Sequence, residues 1–149
     1  MRNNPPGSRV RIVFDTNFVF SALIWKGPPF QLLEIARQRE SIKLFTSPRL
    51  LAELSVILNR PRNAKYLAIA EQTAEQLLDA YRIVTTLVEP TSVPRIIAHD
   101  PADDHVIAAA VAAQADLIIS GDKRHLQSLG SHNGIAIISP RVALDRIGH

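Results

Sequence analysis

The chain contains no cysteine, which removes disulfide bonds, thiolate metal sites and a thiol nucleophile together. It has no apolar stretch long enough to cross a bilayer. The opening segment, Met1-Arg2-Asn3-Asn4-Pro5-Pro6-Gly7-Ser8, lacks the apolar core of a secretory signal. It reads as a disordered lead-in over residues 1–8, followed by one domain over 9–149. Cytoplasmic residence is the expectation. Internal repeats, low-complexity tracts and dividing linkers are also missing, and 149 residues suit one domain with a real core. The five histidines, His99, His105, His125, His132 and His149, show no metal-ligand spacing and read as surface or structural.

What remains is an ordinary globular composition, 46% hydrophobic and 21% charged. The net charge is +3 and arginine far outnumbers lysine. Guanidinium forks suit phosphate oxygens, so a polyanionic partner is permitted but not demanded. Strand-like runs alternate with helix-like ones along the whole chain. Strands are expected at 10–14, 42–46, 83–88, 117–120 and 135–138. A helix opens after Gly27-Pro28-Pro29 and carries Leu32, Leu33, Ile35 and Ala36. Another opens at Ser47-Pro48, where serine caps and proline occupies the first turn, and Leu50, Leu54, Ile57 and Leu58 recur at helical spacing. Further helices are expected over 73–81, 103–115 and 141–147. The alternation predicts a parallel sheet with helices on both faces. Residues 59–66, with Arg60, Arg62 and Lys65, read as a solvated loop or a basic surface arm.

Acidic residues stand where apolar runs end. Val10-Arg11-Ile12-Val13-Phe14 runs into Asp15, and Leu117-Ile118-Ile119 is followed by Ser120-Gly121-Asp122. An Asp in such places is also a common turn or cap residue. Glu53 borders the apolar stripe of its helix beside Ile57, although pairing with Arg49 one turn earlier is the plainer use of that carboxylate. Asp100, ahead of Pro101, looks like a helix cap, and Asp103 and Asp104 then open an alanine-rich helix. That helix, from Val106 to Ala113, is apolar all round, so no polar face orients Asp103 against Asp104. Asp116 lies at the start of its strand, the wrong edge, and Glu89 follows an amphipathic strand read as peripheral. In parallel α/β sheets functional groups gather at the carboxyl ends of strands. Two carboxylates about 4 Å apart repel by roughly 4 kcal/mol at an effective dielectric near 20, so several neighbours imply a cation. An oxygen-only donor set suits Mg²⁺ or Mn²⁺, one or two ions.

Asp15-Thr16-Asn17, Ser47-Pro48 to Glu53, Asp100-Pro101-Ala102-Asp103-Asp104 and Ser120-Gly121-Asp122, in this order, resemble the pattern of the PIN domain family of metal-dependent ribonucleases. Within that family the chain resembles the small prokaryotic toxins of type II toxin–antitoxin systems. The resemblance implies a three-layer α/β/α sandwich with a central parallel sheet of order 3-2-1-4-5. It implies Asp15, Glu53, Asp104 and Asp122 as metal-coordinating catalytic acids, with Asp103 as an added or substitute ligand. Asn17 and Ser120 become supporting hydrogen-bonding groups. RNA is the implied substrate, a small antitoxin and a second copy of the chain the implied partners. The apolar residues of 18–25 and the helix from Val106 could face that second copy, but core packing is the plainer use. A catalytically weak module of the same fold, binding RNA or an antitoxin, is the principal rival. A receiver-like signalling domain would need a phosphoacceptor Asp ending the third strand, where Val88-Glu89 stands, and a dehalogenase-type phosphatase would need an acid where Asn17 stands.

Overall fold

The computed structural model describes residues 9–93, 101–121 and 126–147. In chain order the elements are β1 (Val10–Phe14), α1 (Thr16–Ile24), α2 (Pro28–Gln38), β2 (Ile42–Thr46) and α3 (Pro48–Leu58). A 3₁₀ turn (Pro61–Asn63) leads to α4 (Ala64–Ala70), α5 (Ala74–Val84) and the short β3 (Thr86–Leu87). Then come α6 (Pro101–Ala112), β4 (Leu117–Ile119), α7 (Leu126–Leu129), β5 (Ser131–His132), β6 (Ile135–Ile138) and α8 (Pro140–Ile147). The six strands form one sheet in the order β3-β2-β1-β4-β6-β5. All pairings are parallel except β5 with β6. The five strands expected from the sequence therefore lie in the order 3-2-1-4-5, extended by an antiparallel edge strand. Among the described residues no helix is long and apolar enough to cross a membrane.

Side chains alternate across a strand, and here the alternation divides the core in two. Ile12, Phe14, Leu44, Leu117 and Ile119 face one layer, built from α1, α2, α3, α5 and α8. Val13, Phe45, Ile118 and Ile137 face the other, where α6 contributes Val106, Ile107, Ala109 and Ala110, with Ala113 just past its end. The α6 alanines let that helix lie close against the sheet. This is the α/β/α sandwich.

Three local expectations are corrected. The strand expected over 83–88 shrinks to Thr86–Leu87, because α5 continues through Ile83 and Val84. A capping box between Thr73 and Gln76 starts that helix, and buried Leu77 and Tyr81 anchor it. The Thr85 hydroxyl then donates to the Tyr81 carbonyl at 3.0 Å and closes its end. Packing of those two side chains outweighs the modest cost of β-branched residues in a last helical turn. Residues 59–66 are not a loop but a 3₁₀ turn leading into α4. Finally, β5 was missed although His132-Asn133-Gly134-Ile135 carries the strongest short hairpin signal. Asn133 and Gly134 both take positive φ, 50° and 80°, as a two-residue hairpin turn requires.

Candidate active site

The register fixes the site. Ile12 pairs with Leu117 and Phe14 with Ile119, so the next residue of each strand, Asp15 and Ser120, emerge side by side. Strands β1 and β4 are neighbours whose connections leave in opposite directions, the topological switch point of an open α/β sheet. The Asp15 amide donates to the Ile119 carbonyl at 3.1 Å and the Ser120 amide to Ile138 at 3.0 Å, fixing both tips.

Asp15 is 4% exposed and is the N-cap of α1. Its Oδ1 accepts the Phe18 amide at 2.6 Å, and its Oδ2 accepts the Ser120 hydroxyl. One carboxylate thus starts a helix and ties together two strand ends. The buried Tyr81 phenol is held above the usual tyrosine range by burial and then by the negative charge of Asp15. A buried phenol next to a buried carboxylate stays neutral.

Glu53 reaches the site from α3. Its Oε2 accepts the Thr16 hydroxyl at 3.4 Å and its Oε1 faces Arg49 Nε at 3.3 Å. The Arg49 pairing expected on helical spacing is therefore present, but Arg49 is 63% exposed and the pair is worth about 0.3–0.5 kcal/mol. The Thr16 contact is more informative, because it joins α3 to the first residue of α1. Spacing could not reveal it, and only the adjacency of Thr16 to Asp15 hinted at it.

Asp15, Thr16, Asn17, Glu53, Asp103 and Gly121 line one cleft of about 800 Å³. Phe18, Ser21, Val56, Ile57 and Arg60 continue its walls. The structure thus separates what the sequence left joined: Asp103 lines this cleft, whereas Asp104, 2% exposed, is buried and is not among the lining residues. Asn17 lines the cleft and is exposed, and Asp15 is held by the Phe18 amide and Ser120. Asp122, like Asp100, lies outside the described residues. Asp116 sits at the opposite edge of the sheet, its Oδ2 accepting the Arg11 amide at 2.9 Å.

Among the described residues no three acidic or histidine side chains gather tightly enough to hold an ion alone. The donors that share the cleft are nonetheless all oxygens, the set that hard divalent cations take. By donor chemistry these residues fit such an ion.

A family model described as PIN domain matches residues 11–124, a span reaching from β1 past Ser120-Gly121-Asp122. The chain belongs to the PIN domain family. It is also similar to an uncharacterized protein of Methanocaldococcus jannaschii, 32% identical over 116 residues, which cover 77% of this chain and 72% of that one. PIN domains are typically nucleases, acting on nucleic acid and generally with divalent metal ions. In this PIN domain the cleft at the β1–β4 junction is lined by Asp15, Glu53 and Asp103.

Proposed function

We propose that this PIN domain is an endoribonuclease dependent on Mg²⁺ or Mn²⁺, and that it is the toxin of a type II toxin–antitoxin pair. One observation carries the catalytic part of the reading. Asp15, fixed by two hydrogen bonds at the switch point, opens into the same cleft as Glu53 and Asp103. Asp15, Glu53 and Asp103 would hold one or two ions from the cleft wall, and Asp104 and Asp122 complete the acidic pattern that the resemblance assigns. A bound divalent ion activates water and stabilises negative charge on a phosphodiester. The residues of the chain do the rest. Ser120 and the Phe18 amide keep Asp15 oriented through two hydrogen bonds to its carboxylate. Thr16 holds Glu53 across the opening. The toxin assignment rests on the resemblance of the acidic pattern to the small prokaryotic members. It carries with it a small antitoxin covering the cleft, a homodimer and a cytoplasmic setting.

The test is incubation of the purified chain with end-labelled RNA, and with DNA of the same sequence, in Mn²⁺, Mg²⁺ or EDTA. Internal cleavage of RNA in either metal, abolished by EDTA and by Asp15→Asn, is the expected result. RNA binding without cleavage in any metal would favour the rival reading, a binding module of the same fold. Copurification of a small protein that blocks cleavage is the expected outcome for the toxin assignment.

A further inference from the structure

The cleft continues beyond its acids. Thr16, Asn17, Phe18 and Ser21 of α1 all line it, and Arg60 stands among its walls with Val56 and Ile57. One turn past Ser21 comes Trp25, whose amide donates to the Ser21 carbonyl at 2.9 Å. Trp25 is 46% exposed, yet its indole is not loose. It lies edge-on between Phe20, at 5.6 Å between ring centroids, and Tyr66 of α4, at 5.1 Å. Phe20 belongs to the core, so the indole is braced from beneath. The Lys65 ammonium stands 5.1 Å from the Tyr66 ring centroid.

The segment that packs Tyr66 against this indole carries charge of one sign. Residues 59–70 contain Arg60, Arg62 and Lys65 and no acid. All three are exposed. The ion pairs found among the described residues involve Arg37, Arg49 and Arg82 instead. Lone exposed apolar side chains are ordinary on protein surfaces. A rigid, half-open indole in line with an acidic cleft, packed on a segment that carries three exposed cations, is a more specific arrangement. Protein interface cores are depleted of charge, whereas single-stranded nucleic acid is gripped by aromatic faces set in a basic groove.

We propose that this face is a track for single-stranded RNA leading into the cleft, with Trp25 stacking a base and Arg60 engaging a backbone phosphate on the way to the acids. Arg62 and Lys65 add electrostatic attraction. The assignment rests on the endoribonuclease reading above. Along α1, Trp25 lies about 15 Å from Asp15 at roughly 1.5 Å per residue. A stacked strand advances roughly 3.4 Å per nucleotide, so the gripped base sits about four nucleotides from the acids, or fewer if the strand is extended. Every base has a π-face, so this grip is indifferent to sequence.

Trp25 is the sole tryptophan, so its emission reports on the track directly. The full chain, in EDTA so that nothing is cut, is titrated with an eight-nucleotide oligouridylate. Saturable quenching of the indole is expected. Anisotropy of the same labelled oligonucleotide should show Trp25→Ala binding roughly tenfold to a hundredfold more weakly, with Trp25→Phe close to the parent. Arg60→Gln should lower the slope of log affinity against log salt by about 0.7, the value for one phosphate contact on a single strand. Circular dichroism confirms that the variants fold. In Mn²⁺, Trp25→Ala should raise KM more than it lowers kcat. If the indole emission is unchanged and Trp25→Ala binds as the parent does while RNA cleavage persists, the track is wrong and the nuclease reading stands. If RNA is neither bound nor cut, both fall. If Trp25→Ala converts a dimer to a monomer with no change in RNA affinity, the face belongs to a second copy of the chain and the track is overturned.

Discussion

Replacing Asp15 separates the two tasks this side chain performs, because asparagine keeps one of them and alanine keeps neither. As N-cap, Asp15 accepts the Phe18 amide, and asparagine caps about as well. On the other side the Asn amide donates to Ser120 Oγ, whose hydroxyl turns to accept. The shape of the junction is therefore preserved in Asp15→Asn while the charge is lost. Alanine forfeits the cap, about 1 kcal/mol, and a buried hydrogen bond to a charged group, about 1.5–3 kcal/mol. For a chain of this size each kcal/mol moves Tm by about 2–4 °C. In EDTA, Asp15→Ala should thus melt roughly 5–15 °C lower. Asp15→Asn should match the parent or melt slightly higher, because repulsion among the cleft acids is eased. Adding Mn²⁺ at a hundredfold its Kd contributes about 2.7 kcal/mol to the parent, a rise of roughly 5–10 °C. That rise should be much smaller in Asp15→Asn. Scanning calorimetry with and without the ion reads all four quantities. A drop in Asp15→Asn as large as in Asp15→Ala would make the charge itself structural. Equal Mn²⁺ shifts in parent and Asp15→Asn would remove Asp15 from the ion site.

Three further outcomes are expected. Because Asp103 lines the cleft and Asp104 does not, Asp103→Asn should weaken Mn²⁺ binding more than Asp104→Asn in isothermal titration, and the reverse order would overturn the division between them. Leu54, 1% exposed on the core face of α3, should cost about 2–5 kcal/mol when cut to alanine. The same cut at Val56, 61% exposed on that helix, should change stability by less than about 0.5 kcal/mol in urea melts, and similar losses at both would misplace the core. Tyr81 is held above the ordinary tyrosine value of 10.0 by burial and by Asp15, so folding favours its neutral form. Its contribution is full below pH 10 and is lost as pH climbs from there toward the folded pKa. In Tyr66→Phe, which leaves Tyr81 as the sole tyrosine, tyrosinate absorbance should appear only as the chain unfolds, and ionisation near 10 with native circular dichroism would refute this.

Local chemistry was legible in the chain itself. The run from Val10 to Phe14 reads as a strand and forms β1, Ser47-Pro48 announces a capped helix, and the end of the first apolar run puts Asp15 on the cleft wall. These signals depend on neighbours two to four residues apart, and a sequence records those faithfully. Where local preference and packing disagreed, the sequence misled: Ile83 and Val84 favour a strand but extend α5, because Leu77 and Tyr81 hold that helix to the core. The apolar helix α6 has no polar stripe, so periodicity could not rank Asp103 against Asp104, and only its packing against the sheet decided that Asp103 lines the cleft. The bond from Ser120 to Asp15 and the one from Thr16 to Glu53 join residues 105 and 37 positions apart. Such pairs follow from strand order and register, which arise when two faces of a sheet are buried together and which no short window of sequence contains.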